Sequence, residues 1–394
     1  MNPSHEKSLS QLIRIIGFCL VLGAASPSLP QTTTSAPVVV VAPTTIGRNG
    51  GYRNPTIAVS PDGTVTVVAA VGRSDVRSLV VTDLTPTGWT EPTLLEFAGP
   101  GDCRDPSMAY DSSEVLRLVW SQRTDAAYAI RSASRRPDGQ WRGPQSVSST
   151  PDLHCDFAQV ACSADGRAWI TWQAGRSTHC AVYLAARDEA TSFVIDLTGS
   201  QSDRYNLYPQ LFPDTPYPVV WYEETEKNFR LRSVALTSST ISIISPLQFD
   251  RLDANQLPLL FQAPSGLLGG VWTDLVDGRV RMLVGFQGSQ TRGEGLVAEA
   301  TTIGDAVQPC AIAISDNIVA LAWVSRLPTG SAISLGSLAG ISRVGPSLAL
   351  PAAHESALSR PRLAWGGGRL VHCVWFSDAA RGGSGNLYYA ALRF

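Results

Sequence analysis

The 394-residue sequence is poor in charge, in lysine and in long apolar runs. Asp, Glu, Lys and Arg make up 16% of it, and the formal net charge is −2 at pH 7. No clustered basic surface is available to displace counterions, so nucleic acid is excluded as a partner. Lysine occurs only as Lys7 and Lys227, which leaves arginine to carry almost all positive charge. Guanidinium forks suit bidentate pairing with carboxylates better than an ammonium does. A single stretch, Ile15 to Ala25, is apolar enough to suggest membrane contact, with Lys7 and Arg14 before it and Ser26-Pro27 after it. It is shorter than the roughly 20 residues that span a bilayer. Residues 1–25 are therefore expected to be an export signal ending at small residues, followed by a Pro/Ser/Thr-rich lead-in over 26–37. The expected product is secreted or periplasmic, with no membrane insertion after the signal is removed.

What the sequence does contain is a repeat. The segment Asn54-Pro55-Thr56-Ile57-Ala58-Val59 has counterparts at Pro106, Ala158, Pro209, Pro258, Pro309 and Pro361. The gaps are 51, 52, 51, 49, 51 and 52 residues. A second marker keeps phase: Trp120, Trp172, Trp272, Trp323 and Trp375 lie 14 residues after their anchors, and Trp221 lies 12 after its own. Ala69 holds this position in the first copy. Each unit parses into four short strands, which in the first copy are Thr56–Ser60, Thr64–Val71, Ser78–Thr82 and Pro92–Phe97. Turns such as Ser60-Pro61-Asp62-Gly63 separate them. Four strands per unit of this length predict an all-β fold, a seven-bladed β-propeller over residues 38–394. The seventh copy stops after its third strand, so the segment Pro37-Val38-Val39-Val40-Val41-Ala42-Pro43 is expected to supply the fourth and close the ring.

In a propeller, residues just before each anchor ring one mouth of the central funnel. By phase these include Arg53, Arg104, Asp105, Asp156, Tyr208, Gln256, Gln308 and Arg360, the candidate ligand-binding set. The loop after each second strand opens on the same side and adds Arg73, Asp75, Arg123, Glu223 and Asp274. Arginine, carboxylate, amide and tyrosine converging on one mouth form a binding-site hypothesis. The residues differ from copy to copy, which favours one central site over seven equivalent pockets.

Tyr52-Arg53-Asn54-Pro55, Gly63 and Arg73-Ser74-Asp75 resemble the opening of the sialidase (BNR-repeat) superfamily. The turns Ser134 to Trp141 and Thr82 to Trp89 resemble that family's structural Asp-boxes. The resemblance implies that Arg53 grips a substrate carboxylate and that Asp75 serves as acid/base. It further implies a tyrosine–glutamate nucleophile, for which Tyr222 with Glu223 or Glu224 is the local cluster available. Protonation of a glycosidic leaving group is the chemistry such carboxylates perform. A glycan or another anionic, polyhydroxylated ligand is the expected partner, bound by a monomer. Glycoside hydrolysis, glycan binding without turnover, and a protein-interaction platform all remain open.

Export permits disulfides. Cys103, Cys155 and Cys180 fall near the mouth, and a bridge among them is expected, with Cys155–Cys180 preferred. Cys162, Cys310 and Cys373 sit in strand patterns as small buried hydrophobes. His154-Cys155 and His179-Cys180 offer zinc-type ligands at a spacing that matches no metal motif, so neither metal nor cofactor is expected.

Overall fold

The fold is described from a computed structural model covering residues 36–394, except 49, 74–75, 100, 125–126, 149–152, 177–178, 188–191, 199–204, 213–217, 225–228, 237–240, 245–257, 267, 277–278, 287–297, 300–304, 329, 340–342, 345–346, 351–357 and 378–384. The expected export signal and nearly all of the lead-in lie outside the described residues. Within them the chain is all-β, with one short 3-10 turn at Glu96–Ala98. No helix among the described residues is long and apolar enough to cross a membrane.

Among the described residues the strands form seven antiparallel sheets, five of four strands and two of five. Their first strands are Arg53–Val59, Cys103–Tyr110, His154–Cys162, Asn206–Leu211, Leu259–Gln262, Asp305–Ser315 and Leu358–Trp365. In sheets one to six the remaining strands follow in chain order. The seventh differs: Val38–Gly47 pairs antiparallel with Leu387–Arg393, so the first described strand completes the last sheet. Sheet one departs from expectation at its outer edge. The strand anticipated over Pro92–Phe97 is reduced to Thr93–Leu94, and Gly88–Trp89 pairs beside it. Pro92 has no N–H to offer a ladder, and the chain turns into the 3-10 segment soon afterwards.

Seven apolar clusters hold the sheets together. Each joins two consecutive sheets, and one of them joins the seventh to the first. Trp120, Trp172, Trp221, Trp323 and Trp375 are buried, each packed against the sheet that precedes its own. Shielding one such indole removes about 200 Å² of surface, roughly 5 kcal/mol of transfer free energy. Ala69 holds this position in sheet one, where Trp89 packs edge-on against Tyr389 with centroids 4.8 Å apart.

The anchor positions share a backbone feature. In six sheets the first strand slips register at this point, between Arg53 and Thr56, Arg104 and Ser107, Asp156 and Gln159, Leu207 and Gln210, Val307 and Cys310, and Ser359 and Arg362. These are β-bulges. Proline suits them because it brings no donor to the interrupted ladder. The residue before the anchor is left-handed in five copies: Asn54, Asp105, Phe157, Tyr208 and Gln308, with φ between 45° and 52°. The bulge re-aims these side chains at the same end of those five sheets.

None of the six described cysteines forms a disulfide. The expected Cys155–Cys180 bond is ruled out by the pleated sheet itself. Cys155 pairs with Ala174 on one side of the strand Ala168–Arg176, and Cys180 pairs with Gly175 on the other. Two strand spacings separate their Cα atoms by about 10 Å, too far for a disulfide. Burial pushes the Cys103 and Cys310 thiols up to about 12.

Candidate functional site

A connected set of charged and aromatic side chains occupies the open ends of sheets one to three. Its centre is Asp102, just before the first strand of sheet two, with a fully buried carboxylate. Arg77 Nε lies 2.9 Å from Asp102 Oδ1, and Arg104 Nε donates to Oδ2 at 2.6 Å. The Tyr128 hydroxyl donates to the same Oδ2. A carboxylate is tolerated in so dry a position because Arg104 and Tyr128 hydrogen-bond Oδ2 and the Arg77 guanidinium lies beside Oδ1 as an opposite charge. Burial, reinforced by the hydrogen bond to Asp102, pushes the Tyr128 hydroxyl up to about 12.

The network continues outward by stacking. The Arg104 guanidinium lies 4.4 Å from the centroid of the Tyr128 ring, and the Tyr128 and His154 rings are 4.7 Å apart. His154 Nε2 sits 3.7 Å from Asp156 Oδ2. Partial burial raises the Asp156 carboxyl above its usual range, and the charge of Asp105 adds to this. His154 and Arg104 pull in the opposite direction without cancelling it. Asp105 is in turn held by Asn54, whose Nδ2 donates to Oδ1 at 2.6 Å. The site thus sets a carboxyl with a raised pKa beside a histidine and Arg104, in reach of solvent. A carboxyl whose protonated form is favoured in this way is suited to passing a proton to a bound molecule.

The candidates read from phase fall into three groups. Arg104, Asp105 and Asp156 come together in this network. Tyr208 continues the row: its ring packs edge-on against Phe157, the neighbour of Asp156, with centroids 4.8 Å apart. Arg53, beside Asn54, directs its guanidinium 5.5 Å over the Phe376 ring of sheet seven. Gln308 is exposed in its bulge on sheet six, and Arg360 occupies the corresponding backbone position on sheet seven. Asp75 and Gln256 lie outside the described residues, as do the side chains of Arg360 and Asp274.

Tyr222 and Glu223 are placed differently. Tyr222 follows Trp221 on one strand, so the pleat turns it to the opposite face, into the core between sheets four and five. It is fully buried, its hydroxyl donates to the Pro258 carbonyl at 2.6 Å, and burial raises its pKa. Glu223 is clasped by Arg230, at 2.7 Å through Nη2, and by Arg232. A buried phenol and a doubly paired carboxylate leave this pair without an open side towards a substrate.

Phase does not single out Arg77, Asp102 or Tyr128, and it offers His154 only as a metal ligand. Arg77 and Tyr128 both stand second on the third strands of their sheets, Val76–Thr85 and Ala127–Arg135. A map confined to the loop before that strand misses them. Asp102 and Arg104 are two apart, the spacing that puts side chains on one face of a strand. That pairing is legible in the sequence. Among the described residues no group of three or more His, Cys, Asp or Glu side chains gathers as a metal site.

No family model matches the chain, and no curated protein sequence matches it. Solved structures do match. A protein of unknown function from Dyadobacter fermentans superposes with a TM-score of 0.53 at 12% identity, over 92% of this chain and 100% of that one. A Hadza microbial sialidase gives 0.50 at 12% identity, over 89% of this chain and 68% of that one. An ulvan lyase of polysaccharide lyase family 25, bound to -[GlcA(1-4)Rha3S]-, gives 0.54 at 8% identity, over 88% and 96%. The chain shares the β-propeller fold of these structures at 8–12% sequence identity.

Proposed function

We propose that the chain is a secreted glycan-cleaving protein, in which residues 1–25 are an export signal, 26–37 a lead-in and 38–394 a seven-bladed β-propeller. Its substrate sits at the mouth formed by Arg104, Asp105, His154 and Asp156, and the protein acts as a monomer. The observation that carries this reading is the Asp156 carboxyl, raised in pKa yet only partly covered. A proton held there can pass to a glycosidic oxygen, as bond cleavage requires. Arg104, about a third exposed and braced by Asp102, supplies a fixed positive charge for an acidic sugar. Arg53, Tyr208, Gln256, Gln308 and Arg360 are assigned to the rim, and Asp75 to a second acid/base beside Arg53. That the fold neighbours include a sialidase and a polysaccharide lyase supports a carbohydrate substrate.

A second reading, glycan binding without turnover, is favoured by the burial of Tyr222 and the neutralisation of Glu223. One experiment separates the two. Purified protein is screened on fluorogenic glycosides and on acidic polysaccharides, with product release measured alongside binding. Under the first reading Asp156→Asn abolishes turnover and spares binding. Binding by wild type with no product from any substrate selects the second. Failure of wild type to bind any of them sinks both.

A further inference from the structure

Two of the five left-handed bulge residues are aromatic, and this is the poorest chemical fit in the series. Asn and Asp tolerate that backbone region because their short polar side chains bond locally, whereas a bulky ring gains nothing from it. Strained positions that persist are held in place by their surroundings and gather at functional sites. Tyr208 is held in this way. Its backbone N–H donates at 3.0 Å to Oε1 of Gln173, a buried amide on the neighbouring sheet. The bulge therefore fixes where the ring stands, yet the residue is 39% exposed and contributes little to any core. Phe157 supports it edge-on, at an interplanar angle of 76°. Asn at either position would hold the same backbone at lower cost, so packing alone does not account for the rings.

Their neighbours give the rings a purpose. Phe157 directly follows Asp156 at the bulge of the same strand, so the aromatic pair continues the row of anchor residues from Asp156. One side of the mouth is polar, built from Asn54, Arg104, Asp105 and Asp156, and the adjoining side offers an open aromatic face. We propose that Phe157 and Tyr208 form a stacking subsite for the sugar unit next to the one held at Arg104, Asp105 and Asp156. The inference rests on the glycan reading above and narrows it: the ligand is an oligosaccharide of at least two units, recognised in part by the C–H face of a pyranose. The polarised C–H groups of that face meet the electron-rich face of the ring, while the hydroxyls at the sugar's edge remain hydrated.

The test compares chain length on three acidic series: galacturonic acid with its di- to pentamers, chondroitin sulfate di- to hexasaccharides, and sialic acid with sialyllactose. Binding is titrated by calorimetry for wild type, Tyr208→Ala, Tyr208→Phe and Tyr208→Asn, with melting curves confirming that each is folded. In at least one series wild type should bind oligomers tenfold or more tighter than the monosaccharide. Tyr208→Ala and Tyr208→Asn should bind the oligomers no more tightly than they bind the monosaccharide, and Tyr208→Phe should retain the gain. Tyr208→Asn matters most, because it preserves the left-handed backbone and removes only the ring. If the alanine and asparagine variants keep the dependence on length, or wild type has none, the stacking subsite is refuted and the glycan reading stands. If wild type binds no member of any series, both are overturned.

Discussion

Asn54 Nδ2 donates to Asp105 Oδ1 at 2.6 Å, although the two residues are 51 positions apart. Both precede the anchor proline of their copies, and both are left-handed, with φ of 45° and 46°. Residues at the same phase on neighbouring first strands are thus brought within hydrogen-bonding distance of each other. Phe157 and Tyr208 repeat the relationship one pair further round, with ring contact in place of a hydrogen bond. The bulge therefore turns position in the repeat into position at the mouth, and a change at one phase alters a contact between sheets.

The left-handed conformation can be tested where no ligand role is at stake in the measurement. Gln308 has φ of 52° and is exposed. A β-branched side chain resists that region, so Gln308→Val should destabilise the fold by about 1–2 kcal/mol. Gln308→Asn should cost nothing measurable, because Asn visits the region readily. Urea unfolding of the two variants decides it, and equal losses would mean that the bulge is not what the residue sustains.

Asp156 predicts an exchange of stability for function. Its folded carboxyl pKa is raised, so the native state holds the proton more tightly than the unfolded chain does. The contribution is fully present below the unfolded value, near 4, and is lost as pH rises through the folded value. Above the folded value wild type carries a partly desolvated charge that Asp156→Asn does not. The variant should therefore melt higher than wild type at pH 7, and the difference should shrink as pH falls below about 4. A variant that melts lower at pH 7 would show that His154 and Arg104 more than compensate for the burial.

The repeat is legible in the sequence because it rests on prolines and tryptophans whose physical roles are strict. Each proline marks a gap in the ladder, and each buried tryptophan fills the seam with the preceding sheet. The completion of the last sheet by Val38–Gly47 follows from counting strands. The mouth is legible only in part. Phase locates Arg104, Asp105 and Asp156, since they sit at the bulge itself. It passes over Arg77 and Tyr128, which reach Asp102 from third strands, because the order of residues along the chain does not say which strand ends meet. Tyr222 escapes it for a related reason: next to a buried tryptophan, alternation sends a side chain to the other face, and here that face is also core.

Sheets one and two are also clamped away from the mouth. Arg135 donates to both oxygens of Asp83, at 2.7 Å and 2.9 Å, and through Nη2 to Thr66 Oγ1 and the Tyr110 hydroxyl. Lysine offers a single point charge and cannot match this fork. Arg135→Lys should cost about 1–3 kcal/mol, with part of the loss coupled to Asp83 in a double-mutant cycle with Asp83→Asn. Additive effects in that cycle would show the two side chains to be independent. Ligand binding at the mouth should be unaffected.

The last expectation concerns acid. His372 is buried in sheet seven, where its Nδ1 lies 2.6 Å from the Tyr389 hydroxyl. Burial lowers its pKa to about 4, well below the ordinary 6.5. Above pH 6.5 the imidazole is neutral in both the folded and the unfolded chain and contributes no pH dependence. Between 6.5 and 4 the unfolded chain takes up a proton that the native state refuses, so stability falls as pH falls. The whole loss amounts to about 3 kcal/mol by pH 4. Asp156 acts with the opposite sign over part of this range, so the wild-type profile alone would mislead. His372→Leu removes the titrating group and leaves the Tyr389 hydroxyl without its imidazole partner, lowering stability at pH 7 by about 1–3 kcal/mol. Its stability should nevertheless fall less steeply than that of wild type between pH 6.5 and 4, so that the two curves approach each other. Denaturant unfolding at half-unit steps of pH measures the gap, and a gap that stays constant across the window would mean that His372 does not titrate there.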